Sequence, residues 1–368
     1  MVVYIDGLFY KVFGIGRYYE SLVKEFSRRN INIYTCVPRR LEKDFTKDFE
    51  DFSENINPIF VNYEKFSIKG MINQSSILKT LENNVDIFFY PHVNLPIYIP
   101  NNTIVTIHDL RSFTKYWDRN FLKKYILKNF VRRAVKRSNY IVAISKTTES
   151  KIKEFFEIEE NKIITIYEFV NDKFTNYPSV QQPIVREPYI LFVGNRKKHK
   201  NLSNLIKAFY SIKDRIPHKL VITGARDKDK KSDEIDSLIG KLNLNNRIIS
   251  FVSPDDDTVI NLYHHADLFI FPSLFEGFGL PPLESITCKT PVIASNIPIF
   301  REILGEKIAC FDPYNVEDIS SKILYALDNK EKLLEIGRER LKLFEKEKII
   351  QQFIDLFSRV ISDFSTKK

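Results

Sequence analysis

The sequence predicts an α/β fold of two domains, each built on a parallel β-sheet of the Rossmann type. Its 368 residues exceed what one hydrophobic core usually organises. Short β-branched or aromatic runs alternate with amphipathic helical segments, as in βαβ units. A proline-containing stretch without periodicity, Asn176–Pro188, separates two such series. We therefore predict an N-terminal domain over residues 1–175 and a C-terminal domain over residues 176–345.

The predicted strands follow this division. Those of the first half are Val2–Asp6, Ile31–Val37, Val85–Tyr90, Thr103–Ile107 and Tyr140–Ile144. Those of the second half are Tyr189–Val193, Lys219–Thr223, Arg247–Val252, Asp267–Phe271 and Pro291–Ala294. From about Asn315 onward the pattern is helical, and we predict that the last helix, 346–368, returns to the N-terminal domain.

Composition is typical of a globular protein. Hydrophobic residues make up 43% and charged residues 28%, and no apolar stretch approaches the roughly 18 residues of a transmembrane helix. The start, MVVYIDGLFY, lacks the charge and apolar order of a secretory signal, so we expect a cytoplasmic protein. Cys36, Cys288 and Cys310 are widely separated and lack metal-ligand spacing, which predicts reduced thiols.

A basic amphipathic helix is predicted between Arg119 and Arg137. The segment RNFLKKYILKNFVRRAVKR contains no acid, and its apolar residues recur at helical spacing. Two interpretations remain open: one face packs on the sheet while the other is solvated, or the cations contact anionic lipid headgroups at the inner face of a membrane. A nucleic-acid partner would rest on this helix alone, and we predict none.

Glycine is scarce, with 11 residues, so positions where it clusters are informative. Gly14 and Gly16 follow the first predicted strand and begin a helix, where free N–H groups suit an anion or a sugar hydroxyl. The third glycine of a dinucleotide-binding motif is missing. A plain tight turn therefore stays open as an interpretation.

A second cluster lies in PSLFEGFGLPPLES, between a predicted strand and a helix. Pro281 and Pro282 mark the helix start, so the amides of Gly279 and Leu280 point out of its N-terminus toward an anion such as a diphosphate. An ionised Glu284 accepts hydrogen bonds from a vicinal diol. Glu276 is predicted to face a sugar. Alternatively both glutamates only favour the helix dipole, which explains Glu284 but neither Glu276 nor the glycines.

The run EGFGLPPLE resembles the Glu-x7-Glu signature of family 4 glycosyltransferases, in particular the mannosyltransferase-like group. FGIGRY, VTIHDL, VAISK, VGNRKKHKNL and FDPYNVEDI agree with that family in order and spacing. The resemblance implies a GT-B fold, with two parallel sheets facing each other across a cleft. It also implies retaining transfer of a hexose of the mannose or glucose type. The donor would be a GDP- or UDP-sugar and the acceptor a saccharide or a lipid-linked saccharide, in surface polysaccharide or glycoconjugate synthesis.

The resemblance further implies roles for individual residues. Glu284 would hold the donor ribose, and Gly279 and Leu280 would bind sugar and phosphate through their backbone. The remaining donor-binding set is Phe278, Val252 and Asp109. The implied catalytic set is Glu276 at the transferred sugar, Arg196 and Lys200 at the diphosphate, and His108 near the donor sugar. Gly14 and Gly16 would form an acceptor or phosphate loop.

The expectation for Arg196 and Lys200 also has an electrostatic basis. They belong to a basic run at the carboxyl end of a strand, where open α/β sheets bind ligands. Negative charge grows on a departing diphosphate, and fixed cations stabilise it. A solvated loop is the alternative. Two positions depart from the family: His199 stands where arginine is common, and Lys289 where glycine is common.

No metal site or cofactor other than the donor is expected. Asp255, Asp256 and Asp257 imitate the Asp-x-Asp signature of metal-dependent transferases, but they follow Ser253 and Pro254 before a helical pattern. We interpret them as helix-start acids behind a serine cap.

Other reactions remain open at this level. A nucleotide-sugar epimerase, a phosphorylase and a catalytically silent sugar-nucleotide-binding subunit are the competing functions. For a transferase, the family resemblance implies front-face displacement, in which the leaving phosphate helps to deprotonate the acceptor hydroxyl. No carboxylate nucleophile is assigned.

Overall fold

The computed structural model describes residues 1–117, 120–176, 182–225 and 232–365. The chain forms two compact units, Met1–Glu168 with the C-terminal segment from Lys346, and Phe169–Glu345. The division precedes the predicted boundary because Phe174 packs on Tyr263, with ring centroids 6.0 Å apart. The predicted linker also joins the second unit, since Ile184 N donates to Asn261 Oδ1 at 3.1 Å. Its residues 177–181 lie outside the described part.

The first unit alternates strands and helices. In chain order they are β1 Val2–Ile5, α1 Phe13–Arg28, β2 Asn32–Pro38, α2 Glu42–Asp48, β3 Ile56–Val61, α3 Ile68–Leu81, β4 Ile87–Tyr90, β5 Thr103–Ile107, α4 Phe121–Arg137, β6 Tyr140–Ala143, α5 Lys146–Phe155 and β7 Ile163–Thr165. The strands form one parallel sheet in the order β3-β2-β1-β4-β5-β6-β7.

The second unit repeats this plan. Its elements are α6 Asp172–Thr175, β8 Tyr189–Val193, α7 Leu202–Ile212, β9 Lys219–Thr223, α8 Glu234–Lys241, β10 Ile248–Phe251, α9 Asp256–His265, β11 Leu268–Phe271, α10 Leu280–Thr287, β12 Val292–Ser295, α11 Pro298–Leu304, β13 Cys310–Phe311, α12 Val316–Asp328 and α13 Lys330–Leu341. Its parallel sheet has the order β10-β9-β8-β11-β12-β13. The predicted fold class of two parallel Rossmann-like sheets is confirmed.

Three strands, β3, β7 and β13, escape prediction, and all three lie at sheet edges. β3 contains Pro58, which cannot donate to a ladder and is tolerated on an edge strand. β7 has 3 residues and β13 has 2, too few for a periodic pattern. Of the edge strands only β10 was predicted, so the sequence signal is strongest for the central strands.

The strand order reverses once in each sheet. In the first unit β1 pairs with both β2 and β4, and in the second unit β8 pairs with both β9 and β11. The loops that leave the carboxyl ends of the two central strands then run in opposite directions, which opens a crevice between them. Each unit therefore has one place at which a ligand is expected.

The last helix, α14 (Lys346–Ser365), belongs to the first unit. Phe353 and Phe357 are fully buried, and their ring centroids lie 5.8 and 5.3 Å from that of Phe26 on α1. Lys346 Nζ pairs with Glu25 Oε1 at 3.2 Å. The helix therefore completes the core of the first unit, although the whole second unit, Phe169–Glu345, separates it in sequence from the rest of that core.

The basic helix α4 begins after Asn120, whose side chain caps it by accepting from Leu122 N at 2.7 Å. Arg119, the predicted first residue of this segment, lies outside the described residues. Among the residues described, no helix is both long and apolar enough to cross a bilayer.

The first unit should depend on α14 for stability. Phe357→Ala removes a fully buried ring, and we expect it to lower the free energy of unfolding of that unit by about 3–5 kcal/mol. Urea unfolding followed by the fluorescence of Trp117, the only tryptophan in the sequence, reports this unit. Gln352→Ala on the exposed face of the same helix is the matched control. Equal midpoints for the two variants would contradict this packing role.

Candidate active site

The carboxyl-end crevice of the second sheet contains a buried ion pair. Lys200 lies on the loop after β8 and Glu276 on the loop after β11, and Lys200 Nζ donates to Glu276 Oε1 at 2.5 Å. The ammonium group also lies 4.9 Å from the ring centroid of Phe271. Both side chains are largely shielded from water, so their interaction is little screened. The structure thus brings together two of the predicted catalytic residues.

The backbone conformation at Gly279, in the loop after β11, requires a glycine. Gly279 caps α10 with a φ of 105°, a conformation that residues with a Cβ rarely adopt. An added Cβ would lie 2.9 Å from a ring carbon of Phe300. Pro281 and Pro282 follow in the first turn of α10 and contribute no N–H, so the amide of Leu280 is the donor at this helix terminus. The predicted helix start is confirmed.

Glu284 lies inside α10, beyond its first turn. It is the fifth residue of the helix, whose first turn contains no acid, so simple dipole stabilisation does not account for it. Its Oε2 accepts from Tyr263 Oη at 3.1 Å, and the residue is only 4% exposed. The hydrogen bond from Tyr263 and the burial hold this carboxylate in a defined position on α10.

Among the residues that the structure describes, Arg196 pairs with the start of α8 and not with Lys200 or Glu276. Its Nη1 donates to Asp233 Oδ1 at 3.1 Å and to Asp236 Oδ1 at 2.9 Å, and the side chain is 2% exposed. These aspartates cap the start of α8. Arg196 therefore ties the loop after β8 to α8, a partner arrangement that the basic run NRKKHK did not indicate. Its expected role at a diphosphate stays a prediction.

Two other predicted donor-binding residues, Phe278 and Val252, differ in the exposure of their side chains. Phe278 is buried and packs on Phe344 with ring centroids 5.6 Å apart, so its ring belongs to the core of the second unit. Val252 follows β10 and is 44% exposed, which leaves an apolar side chain at the carboxyl edge of the sheet.

The aspartate triplet begins α9, as predicted, but its cap is an aspartate. Asp255 is the N-cap and accepts from Thr258 N at 2.8 Å, while Ser253 precedes the helix with a φ of 50°. The predicted serine cap is wrong. Asp256 pairs with Lys173 Nζ at 3.3 Å.

His108 belongs to the first unit, at the end of β5. Its Nε2 lies 2.9 Å from Pro91 O and its Nδ1 lies 3.1 Å from Glu168 Oε1. Burial lowers the pKa of the imidazole, but the hydrogen bond and charge of Glu168 outweigh burial, and the net pKa is raised above 6.5. A doubly protonated ring satisfies both acceptors at once. Sequence pattern could not have identified Glu168, which is 60 residues away.

The remaining predicted residues of the first unit lie at the start of α1 and on the loop after β5. Gly14 and Gly16 lie inside the first turns of α1, not in a turn before it. A Cβ on Gly14 would meet no described atom within 4 Å, whereas one on Gly16 would lie 2.8 Å from Phe9 O. Asp109 is exposed, and its Oδ1 accepts from Arg111 N at 2.8 Å. The space beside Gly14 is therefore open, whereas Gly16 allows the helix to pack closely against the carbonyl of Phe9.

Sequence reasoning missed a buried polar group at the crevice of the first sheet. Asp6 follows β1, His92 follows β4 by one residue, and His92 Nε2 lies 2.7 Å from Asp6 Oδ1. Both residues are almost completely buried. One sequence signal could have identified this pair: a polar residue follows each of two predicted strands. The carboxyl ends of parallel strands lie at the same edge of the sheet, so such residues come close together.

Comparison with known proteins identifies the family. Residues 12–174 match the model of "Glycosyltransferase Family 4" and residues 174–342 that of "Glycosyl transferases group 1". The chain belongs to the family 4 glycosyltransferases. The fold agrees: a sucrose-phosphate synthase structure from Thermosynechococcus elongatus superposes with a TM-score of 0.78 over 98% of this chain and 99% of that one, at 17% identity.

Two curated relatives of this chain are O-antigen chain mannosyltransferases. The O-antigen chain mannosyltransferase RfbU of Salmonella typhimurium is 30% identical over 63% of this chain, which spans 62% of that relative's length. The O-antigen chain mannosyltransferase B of Escherichia coli is 26% identical over 71% of this chain and 72% of its own.

The His108–Glu168 pair should make stability depend on pH. Because the folded pKa of His108 is raised, its stabilisation is complete below the unfolded pKa of about 6.5 and is lost as the pH rises through the folded pKa. Glu168→Gln should therefore lower the unfolding free energy by about 1 kcal/mol near pH 6 and much less near pH 9. Urea titrations at both pH values, followed by Trp117 fluorescence, measure the difference.

Glu64→Gln serves as the control for this experiment. Glu64 pairs with Arg40 at 2.6 Å, and that guanidinium stays charged across the whole range. Its effect should be the same at both pH values. A pH-independent effect of Glu168→Gln would mean that His108 is not held as a cation.

Proposed function

We propose that this glycosyltransferase transfers a hexose of the mannose or glucose type, with retention, from a GDP- or UDP-sugar to a saccharide or lipid-linked saccharide in surface polysaccharide synthesis. The observation that carries the proposal is the Lys200–Glu276 pair beside the N-terminus of α10, at the crevice of the second sheet. The O-antigen mannosyltransferases among its relatives favour mannose as the sugar.

The donor half of the reaction follows from the charges at this crevice. The ammonium group of Lys200 and the amide of Leu280 favour a diphosphate. Glu284, held by Tyr263, accepts the hydroxyls of the ribose. Val252 offers an apolar contact to the nucleobase, and Glu276 accepts hydroxyls of the transferred sugar.

Lys200 is the main catalytic cation in this mechanism. As the glycosidic bond breaks, negative charge moves onto the leaving diphosphate, and a fixed ammonium group in a shielded site stabilises that charge more than the ground state. Glu276 holds Lys200 in position before the donor binds and steadies the oxocarbenium-like sugar. The leaving phosphate then helps to deprotonate the acceptor hydroxyl on the same face. Arg196 supports Lys200 by fixing the loop that carries it.

Diphosphate neutralisation by side chains implies that no divalent cation is required. The aspartates that resemble a metal-binding signature cap α9 and pair with Lys173. His108, Asp109 and the Gly14–Gly16 segment are proposed to serve the acceptor and the transferred sugar from the first unit.

A peripheral contact with an anionic membrane is the second part of the proposal. The C-terminal half of α4 is anchored, since Val131, Ala134 and Val135 are buried and Arg133 Nη1 donates to Leu95 O at 2.6 Å. In the N-terminal half, however, the apolar side chains are exposed: Phe121 by 81%, with Leu122, Tyr125 and Ile126 beside it. Exposed apolar side chains on the same helix as the exposed cations Lys123 and Arg132 suit a bilayer interface better than water.

Lys200→Met and Glu276→Gln should each reduce transfer about a hundredfold, because one preorganised charge at a transition state contributes about 3 kcal/mol. Each single change also leaves a buried charge without its partner, so the double variant separates structure from catalysis. We expect the double variant to regain thermal stability but not activity. Transfer is measured as nucleotide release and glycoside formation.

Three outcomes would contradict this mechanism. Near-normal transfer by either folded single variant removes that residue from catalysis. Recovery of activity in the double variant would mean that the pair is structural only. Loss of wild-type transfer in EDTA, with rescue by manganese, would mean that a metal neutralises the diphosphate.

For the membrane contact, wild-type protein should co-sediment with phosphatidylglycerol vesicles at low salt. Each surface cation near the bilayer contributes about 1 kcal/mol, and the attraction is screened within about 8 Å at physiological salt. Phe121→Ser with Leu122→Ser, and separately Lys123→Gln with Arg132→Gln, should each reduce the bound fraction several-fold.

The matched control removes the same charge elsewhere, as Lys241→Gln with Lys332→Gln, both exposed in the second unit. It should sediment like the wild type. Equal sedimentation of all variants, or none by the wild type, would mean that α4 does not bind the membrane.

A further inference from the structure

Phe66 combines three properties that a core residue does not need. It precedes Ser67, the N-cap of α3, and its φ of 58° is a left-handed conformation that is rare for a bulky side chain. It is also 40% exposed, whereas eight other phenylalanines of this unit are buried. Strained backbone of this kind costs about 1–3 kcal/mol and persists only where the surroundings enforce it.

A chain of buried hydrogen bonds enforces the conformation of Phe66. Phe66 N donates to Asn94 Oδ1 at 2.9 Å, and Asn94 N donates to His92 Nδ1 at 3.1 Å. His92 Nε2 in turn donates to Asp6 Oδ1 at 2.7 Å. Since Nδ1 accepts, the imidazole is the neutral Nε2–H tautomer and Asp6 is the carboxylate that terminates the chain.

Asp6 anchors this chain at the crevice of the first sheet. Its Oδ1 also accepts from Leu8 N at 3.0 Å, and its Oδ2 accepts from Tyr4 Oη at 3.2 Å and from Gln74. The carboxylate therefore connects β1, the loop after β4 and α3. A fully satisfied buried network of this kind fixes a unique geometry.

The ring of Phe66 lies next to the proposed acceptor loop. It meets Phe9 almost perpendicularly with centroids 5.6 Å apart, and Phe9 stacks on His92 at 4.3 Å. The carbonyl oxygen of Phe9 is also the atom that a Cβ on Gly16 would approach to 2.8 Å. On another side Phe66 contacts Phe130 of α4 at 4.9 Å. Phe9 therefore links the ring of Phe66 to the segment that carries Gly16.

We propose that Phe66 is an aromatic platform for a pyranose ring of the acceptor, held in place by Asp6, His92 and Asn94. The inference rests on the proposed function in naming the acceptor as a saccharide. The C–H groups on one side of a pyranose carry slight positive charge, and the face of an aromatic ring is negative, so the two stack. A hydrocarbon chain would contact the same side chain without needing a ring.

The chemistry of the side chain distinguishes a sugar from a lipid. Saturation-transfer NMR with the full chain and a panel of methyl hexopyranosides, including methyl α-D-mannopyranoside, measures glycoside binding directly. Phe66→Tyr should bind like the wild type. Phe66→Leu keeps apolar surface but loses the ring, and Phe66→Asn favours the same positive φ without a ring. Both should weaken binding about tenfold.

Phe155→Leu is the matched control, because Phe155 is exposed to a similar extent, 37%, on α5 of the same unit. It should bind glycosides like the wild type. Wild-type affinity in folded Phe66→Asn, full retention in Phe66→Leu, or no binding of any methyl glycoside by the wild type would each overturn the proposal.

The positioning network is tested by His92→Phe and His92→Gln. Phenylalanine can neither accept from Asn94 nor donate to Asp6, whereas the glutamine amide can do both. We expect His92→Phe to weaken glycoside binding as Phe66→Leu does, and His92→Gln to restore part of it. Equal binding by the two variants would exclude a positioning role for His92.

Thermal shifts with GDP-mannose and UDP-glucose should be unchanged in all of these variants, because the donor site lies in the other unit. Failure of wild-type protein to respond to either nucleotide-sugar would count against the proposed function and leave the glycoside result to decide the role of Phe66.

Discussion

The crevice that forms where the strand order of a parallel sheet reverses is the constraint on which the rest of this protein depends. In the second unit it lies between the loops after β8 and β11, and it brings Lys200 to Glu276. In the first unit it lies between the loops after β1 and β4, and it brings Asp6 to His92. The same topological rule therefore builds a charged site twice, with different chemistry.

The two crevices use buried charge differently. Lys200 and Glu276 pair with each other, and the ammonium group also lies over the ring of Phe271. In the proposed function an anionic ligand competes with Glu276 for this ammonium group. Asp6 instead accepts from several donors at once, which makes it a fixed anchor and not a group poised to react. Arg196 with Asp233 and Asp236 is closer to the second case. Charge alone therefore does not distinguish the residues that we propose as catalytic from those that fix the structure; the two sets differ in the number of their partners.

Local signals predicted much of the local structure at the proposed donor site. Gly279, Pro281 and Pro282 mark a helix start through properties of single residues, a positive φ and a missing N–H, which act without regard to tertiary context. Amphipathic periodicity likewise predicted α4, but not that Phe121 and Leu122 would remain exposed. Whether an apolar face is covered depends on which elements pack beside it, and periodicity carries no such information.

The sequence by itself determined the two parallel sheets, the glycosyltransferase family and the loop of Glu276, because these follow from strand periodicity and from residues close together in the chain. Only the tertiary structure decided the partners of charged and polar side chains. Glu168 meets His108 and Asn94 meets Phe66 across separations of 60 and 28 residues. Such contacts are fixed by how strands are ordered within a sheet. A hydrogen-bond partner brought in from another strand leaves no trace in the local pattern of either residue.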